Sequence, residues 1–534
     1  MNSNSRRNAC SALVVLCSAV LASSGYADER NNGVGPLEEG TPANDRFFFK
    51  WAGVKPLYES APPIGYVDCF WGEPFFYGGK LFYDSGYAGS LNANIDDVSA
   101  TYWATRVRLE FGDRLILRGQ FGHNRYASIQ SYGVTDPTSS LRDNEIIPDE
   151  GSSNPYLQGS YRATPMDERW FTITVLNEDP PEDDADRAPN TLYARPPETD
   201  PDRTQVDLRW RSYFVDEKYD VQYDNRGGGQ LPFPIGIIRA GSDVVEPFQC
   251  DRDPKEQTLQ LARHFTNSQA PQRYWRGLWE SYPCSEAAEG AFCNDPWTAP
   301  ARNPPVFEKF FSVPYSEQGL FIPPQDREAL KPPSNCNQVG APGIPANFDA
   351  NYGSAYVSDE FGKVIRITAR HAKTPKTYWN TPFWDEFGTD MRYWSWTVGN
   401  ERVTGNIVDG VSDQQIPILD DGTYSVVVSL PENRPASATQ KCGHAWANWG
   451  RHGDGSGRWG VTTLVLRNIV PSEHFQNALQ NVCEAGTEAQ VMGEYYPVIE
   501  YFDDAETFDR EVGCLQMTPR WGTVRRQSMK DQRA

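Results

Sequence analysis

Histidine is scarce in this chain, with 6 among 534 residues. At its ordinary pKa histidine is the usual general base near neutral pH. Acid–base chemistry is therefore narrowed to His123, His264, His371, His444, His452 and His474. No Cys-x-x-Cys pair occurs, which excludes the usual structural zinc sites and thioredoxin-like redox chemistry. The chain has no Gly-x-Ser-x-Gly elbow, no His-Glu-x-x-His, no phosphate-binding Gly-x-x-x-x-Gly-Lys loop, no haem-attachment motif and no Gly-x-Gly-x-x-Gly after a clear strand. Familiar routes to hydrolysis, phosphoryl transfer and hydride transfer thus lack their usual signatures. Positive charge is also short: Lys and Arg number 50 against 71 Asp and Glu, for a net charge of −21. Nucleic acid and anionic membrane surfaces both need clustered cations, so neither is an expected partner. Beyond the N-terminus no run approaches the ~18–20 apolar residues that span a bilayer.

What is present is a statement made twice. A first string runs Asn94-Ile-Asp96, Thr101-Tyr102-Trp103, Phe111-Gly112, Arg125-Tyr126-Ala127-Ser128, Asp143 with Ile146 and Pro148, and Gly151. A second runs Asn347-Phe-Asp349, Asn351-Tyr352, Phe361-Gly362, Arg392-Tyr393-Trp394-Ser395, Asp413 with Ile416 and Pro417, and Gly422. The gaps differ mainly between Gly362 and Arg392. Single matches are common but their ordered recurrence is not, so the string marks two related domains.

The N-terminus reads as a secretion signal. Arg6 and Arg7 precede a short apolar stretch from Ala9 to Leu21, and Gly25-Tyr26-Ala27 supplies the small residues of a cleavage site. Cleavage after Ala27 would start the mature protein at Asp28 and place it in the periplasm or outside the cell. Eight cysteines follow, Cys69, Cys250, Cys284, Cys293, Cys336, Cys442, Cys483 and Cys514. An even number in an exported chain favours disulfides, with Cys284–Cys293 the first pairing to expect.

Alternating runs such as Thr105 to Phe111, Asp113 to Gln120 and Lys363 to Arg370 suit half-buried antiparallel strands. The expected fold is mainly β: two related antiparallel β-sandwich or jelly-roll domains with a small helical insertion between them. The boundaries are a signal peptide over 1–27, a disordered lead-in over 28–45, a first β-domain over 46–245, a helical insertion and Pro-rich linker over 246–340, and a second β-domain over 341–534. Helices are expected after Asp253, over Arg273 to Tyr282, and after Pro471, where Phe475, Ala478, Leu479 and Val482 follow helical spacing. The 16 Trp, 26 Tyr and 26 Phe serve as sheet core and as contact surface.

Arg125 with Asp143, and Arg392 with Asp413, recur in both copies and read as a clamp within each domain, or as sites for an anionic ligand. His123 falls opposite Asp390 in the alignment, and His123 with Glu145 forms one acid–base option. The densest unduplicated cluster runs from Cys442 to Trp459. Trp446, Asn448, Trp449 and Trp459 there are candidate ligand-binding residues, and His444, His452 and Asp454 candidate catalytic ones. The acidic tract from Asn177 to Asp186 lacks the glycine and spacing of a calcium loop, so no metal site is expected. No motif specifies a cofactor.

The strings Ala100-Thr-Tyr-Trp103, Gly112 to Arg118, Arg125-Tyr-Ala-Ser128, Asp143 to Pro155 and Asp390-Met-Arg-Tyr-Trp-Ser395 resemble exported bacterial proteins of unknown function. They are more distantly similar to the β-sandwich domain of unknown function twelve-fourteen, often paired with the twelve-fifty-four domain. The resemblance implies tandem sandwiches and carries no catalytic residues. The resulting expectation is a non-catalytic two-domain protein that binds a glycan or another apolar-faced small molecule, between the domains or against the Trp/His loop. A hydrolase using that loop and a structural envelope role are the alternatives.

Overall fold

In Arg114–Gln120 and Val364–Arg370, alternate residues point inward: Leu115 and Leu117 in the first, Ile365 and Ile367 in the second, are buried. A strand with one wet face requires this period-2 pattern. The structure is a computed structural model. It describes residues 70–71, 76–77, 97, 99–133, 137–198, 200, 202–217, 226–249, 301–311, 336, 347–379, 381–400, 406–450 and 461–516. All belong to one unit, Val54–Ala534.

The first sandwich contains β1 (Phe76–Tyr77), β2 (Ala100–Arg108), β3 (Arg114–Gln120), β4 (Asn124–Tyr132), β5 (Pro137–Arg142), β6 (Trp170–Leu176), β7 (Thr191–Tyr193), β8 (Gln205–Val215), β9 (Phe233–Ile238) and β10 (Val245–Pro247). The second contains β11 (Phe307–Lys309), β12 (Ala350–Ser358), β13 (Val364–Arg370), β14 (Met391–Asn400), β15 (Asn406–Ser412), β16 (Thr423–Ser429), β17 (Ala445–Asn448), β18 (Val461–Pro471) and β19 (Val498–Phe502). Their sheets have the same order: β1-β2-β8-β4-β5 matches β11-β12-β18-β14-β15, and β9-β3-β6-β7 matches β19-β13-β16-β17. Even the parallel pairings correspond, β6 with β7 and β16 with β17. The duplication is thus one of topology, in a mainly β protein of two sandwiches.

Each sandwich closes over its own core. Trp103, Ile129 and Trp210 meet Leu117, Phe171 and Ile173 in the first. Trp396, Val398 and Leu464 meet Ile367, Val426 and Val428 in the second. The helix expected after Pro471 does not form. Phe475, Ala478, Leu479 and Val482 are buried as the spacing requires, but turns and a 3-10 segment, Leu479–Asn481, present them. The Asn481 side chain takes the carbonyls of Phe475 and Gln476, and Asn477 takes that of Val491. Asn side chains that bond backbone in this way compete with helix. The helices described are α1 (Glu488–Met492) and α2 (Ala505–Glu511). Those expected after Asp253 and over Arg273 to Tyr282 lie outside the described residues. Two disulfides are described, Cys336–Cys483 and Cys442–Cys514; Cys284 and Cys293 also lie outside.

The sandwiches meet on the faces of the sheets β1-β2-β8-β4-β5 and β11-β12-β18-β14-β15, which carry Tyr126, Ser128 and Gln130 on β4 and Tyr393, Ser395 and Thr397 on β14. The Tyr126 hydroxyl donates to Asp349 (2.5 Å) and the Tyr393 hydroxyl to Asp97 (2.8 Å). The Tyr213 and Tyr393 rings touch at 5.7 Å. Here the expected clamp is replaced by an exchanged one. Arg125 reaches Asp413 of the second sandwich (2.7 Å), and Arg392 reaches Asp143 of the first (2.6 Å). All four side chains are at most 2% exposed. Mutual donation from equivalent positions is the geometry of an isologous two-fold interface, here built within one chain.

Burial outweighs the Arg392 guanidinium at Asp143 and pushes its carboxyl up to about 6. For an acid raised on folding, the associated stability is present below the unfolded value and is lost as pH rises through the folded one. Stability measured by urea unfolding should therefore fall between about pH 4 and 6, and Asp143→Asn should flatten that slope. Equal slopes in the two proteins would rule the assignment out.

Candidate ligand-binding site

The repeats differ most in two segments. Where the first sandwich has 3 residues between β3 and β4, the second has 20 between β13 and β14, from 371 to 390. Conversely, the first carries a long excursion, Gly151 to Arg169, before β6, whereas in the second only 7 residues separate Gln415 from β16. These two unshared segments dock on one another.

Backbone joins them: Gly159 N–H donates to Trp384 O (2.9 Å), Trp384 N–H to Ser160 O (2.9 Å), and Arg162 N–H to Pro382 O (2.7 Å). Tyr161 and Phe383 form an isolated antiparallel bridge. The Gln158 side chain donates to Asp385 (3.1 Å) and accepts from the Glu386 N–H (2.8 Å). Trp384, from the second sandwich's segment, is 1% exposed and belongs to the first sandwich's core. Its ring meets Tyr156 edge-on at 5.2 Å and lies under the Arg392 guanidinium at 4.7 Å.

The exchanged arginines hold the same segment. Arg125 donates to the Thr377 hydroxyl (2.8 Å) and to Gln414. The Gln414 oxygen also accepts from Thr377 N–H and Tyr378 N–H, both at 3.1 Å. Arg392 pairs with Glu386 as well as Asp143. Phe214 stacks on Tyr378 at 5.1 Å.

Upon this anchored base stand rings that are not buried. Tyr161 is 53% exposed, Trp379 57%, Phe383 54% and Phe387 89%. Tyr161 and Phe383 are in ring contact at 5.5 Å. Exposed large apolar groups held on a fixed backbone mark recognition surfaces. Beside them, Asp385 is exposed; bonds from the Gln158 side chain and the Phe387 N–H hold its carboxyl below the usual value. The site thus combines flat apolar faces with an oriented carboxylate and amide.

The residues singled out in the sequence have other settings. His444 is buried between the Ser425 hydroxyl (Nδ1, 2.8 Å) and the Gly513 carbonyl (Nε2, 2.9 Å). A carbonyl only accepts, so this network assigns the ring proton to Nε2 and makes Nδ1 the acceptor from Ser425. Trp446 is buried on β17, donating to Ser429 Oγ (3.0 Å) beneath Arg434. Trp449 lies in the second core. Asn448 accepts from Gly450 N–H (3.0 Å) while its own N–H donates to Asp409 (2.7 Å). Arg125 and Arg392 lie in the exchanged clamp. His452, Asp454 and Trp459 lie outside the described residues. His123 neighbours Asp216 at 3.9 Å, whereas Glu145 pairs with Arg142. Asp390 caps Lys373 N–H (2.7 Å). Among the described residues no group of three or more His, Cys, Asp or Glu is placed to hold a metal ion.

Sequence reasoning missed the docked aromatic segments. The signal available was the unequal gap between Gly362 and Arg392, a stretch that contains Tyr378, Trp379, Phe383, Trp384 and Phe387.

No protein-family model matches the sequence, and no curated protein matches it. Among solved structures, an uncharacterized protein from Burkholderia cenocepacia is similar at 13% identity and a TM-score of 0.38, covering 76% of this chain and 80% of that one. A structural-genomics target from Vibrio parahaemolyticus is similar at 10% identity and a TM-score of 0.34, covering 80% and 97%.

Truncating Trp384 to Ala should destabilise the protein by about 3–5 kcal/mol, as for other buried Trp residues. Urea unfolding checks this; a loss below about 1 kcal/mol would mean that Trp384, inserted as a plug into the first core, does not anchor the segment.

Proposed function

We propose that this is an exported, non-catalytic binding protein whose ligand is a glycan laid against the aromatic surface at the domain junction. One observation carries the reading. Two segments that the repeats do not share are locked together by backbone bonds and a Trp plug, yet leave Tyr161, Trp379, Phe383 and Phe387 exposed.

A folded chain has no packing reason to hold four rings in water. Sugar rings present flat C–H faces that stack on such side chains, and their hydroxyls suit a carboxylate and an amide such as Asp385 and Gln158. Because the base is tied to both sandwiches, little ordering remains to be done on binding, which favours affinity. Export agrees with the N-terminal basic and apolar pattern, with the two disulfides and with the lack, among the described residues, of a helix long and apolar enough to cross a membrane.

A glycan array followed by calorimetry with the best-bound soluble oligosaccharide tests the reading. Trp379→Ala and Phe383→Ala should each weaken binding about 5- to 30-fold, since a ring contact is worth on the order of 1–2 kcal/mol, and thermal stability should stay near that of the parent. Glycan binding that both variants retain in full would remove this surface from the account, and no binding across the array would remove the ligand class.

A further inference from the structure

The two-fold relation between the sandwiches is broken in the side chains of the turns that precede β2 and β12. Ala100 and Ala350 begin equivalent strands, and the backbone bonds of the turns before them match. Ser99 N–H bonds the Asp97 side chain (2.7 Å) as Asp349 N–H bonds that of Asn347 (3.0 Å). Phe214 N–H donates to Ser99 O, and Val470 N–H to Asp349 O. Phe214 and Val470 share a positive φ, 51° and 46°, that such side chains rarely adopt. Asp97 is therefore the twin of Asn347, not of a residue near Asp349 as the aligned strings suggest.

In the first of these twin positions a carboxylate is fully enclosed. Asp97 accepts from Arg467 Nη1 (2.7 Å), from the Tyr393 hydroxyl (2.8 Å) and from Ser395 Oγ. The twins of these donors are Arg211, Tyr126 and Ser128, since Ser128 opposes Arg211 on the ladder as Ser395 opposes Arg467. There the amide of Asn347 replaces the carboxylate and accepts from Gln130 (2.8 Å), while the Tyr126 hydroxyl turns to Asp349, the twin of Ser99 (2.5 Å), which leaves Arg211 and Ser128 as the donors to be matched. Arg211 is 3% exposed and Ser128 0%. Among the described residues Arg211 Nε and Nη1 have no hydrogen-bond partner, and Ser128 Oγ, near the Tyr126 hydroxyl, has none of acceptable geometry. The remaining Arg211 nitrogen donates to the Tyr132 hydroxyl, with the Tyr132 and Tyr102 rings at 5.5 and 5.8 Å. No ion pair to Arg211 occurs among the described residues. Asp349 is held by Tyr126 and Gln130 and pairs with no Arg211 nitrogen; a buried guanidinium without a paired anion is strongly disfavoured, and the Arg467–Asp97 pair shows what group this position is shaped to hold.

We propose that Arg211 and Ser128 bind a small monovalent anion in the seam between the sandwiches, where Asp97 supplies a carboxylate to the equivalent set. The anion is either a free inorganic ion or the carboxylate of an organic molecule, and the two have different signatures. The site is separate from the aromatic surface, so it stands or falls apart from glycan binding.

Thermal unfolding of the intact chain is followed in sodium chloride, sodium acetate and, as an ionic-strength control, sodium isethionate. The parent should show a saturable rise in Tm, on the order of 2 °C, beyond the control. Saturation by chloride identifies an inorganic anion, and saturation by acetate alone identifies a carboxylate. Asn347→Asp restores the missing carboxylate and should abolish the rise, as should Arg211→Gln. If Arg211→Gln does not fold, Asn347→Asp carries the comparison alone. No saturable rise in the parent, or the same rise in Asn347→Asp, overturns the proposal.

Discussion

The exchange of Arg125 and Arg392 between sandwiches, each onto the other's aspartate, is the constraint on which the remaining architecture depends. Four fully buried charges must find partners when the sheets close. Burial of an ion pair adds little net stability, because desolvation offsets attraction, but breaking one leaves a charge that the interior cannot hold. The pairs therefore select one relative placement of the sandwiches rather than deepen it. The raised carboxyl of Asp143 fits this view, since there burial outweighs the nearby guanidinium.

From that placement the junction follows. Arg125 fixes Thr377 and, through Gln414, Tyr378; Arg392 fixes Glu386 and covers the Trp384 ring. The same two side chains that hold the sandwiches together thus fasten the excursion bearing the exposed rings. Structure common to both repeats supplies the frame, and structure peculiar to each supplies the surface. Where the symmetry lapses at Asn347, Arg211 and Ser128 are left with donors that lack an acceptor among the described residues.

Much of the fold was legible because repetition and period-2 alternation are local properties. Landmarks such as Phe111-Gly112 and Arg125-Tyr126 fall at strand ends that recur in both sandwiches. Pairing was not legible: nothing in the order of Arg125, Asp143, Arg392 and Asp413 distinguishes a clamp within each repeat from one exchanged between them. The helical spacing from Phe475 to Val482 correctly named buried residues and misnamed their conformation, since asparagine side chains claim the backbone there. The Trp-rich strand around Trp446 and Trp449 was read as a surface because composition cannot separate core rings from exposed ones. The segment with the exposed rings was visible only as an unequal gap.

The central claim is that the arginines act across the interface. Double-mutant cycles with Arg125→Met, Asp413→Asn and Asp143→Asn, read by urea unfolding of the intact chain, test it most directly. The account predicts a coupling of about 1–3 kcal/mol for Arg125 with Asp413 and a clearly smaller one for Arg125 with Asp143. A coupling to Asp143 equal to or larger than that to Asp413 would contradict it.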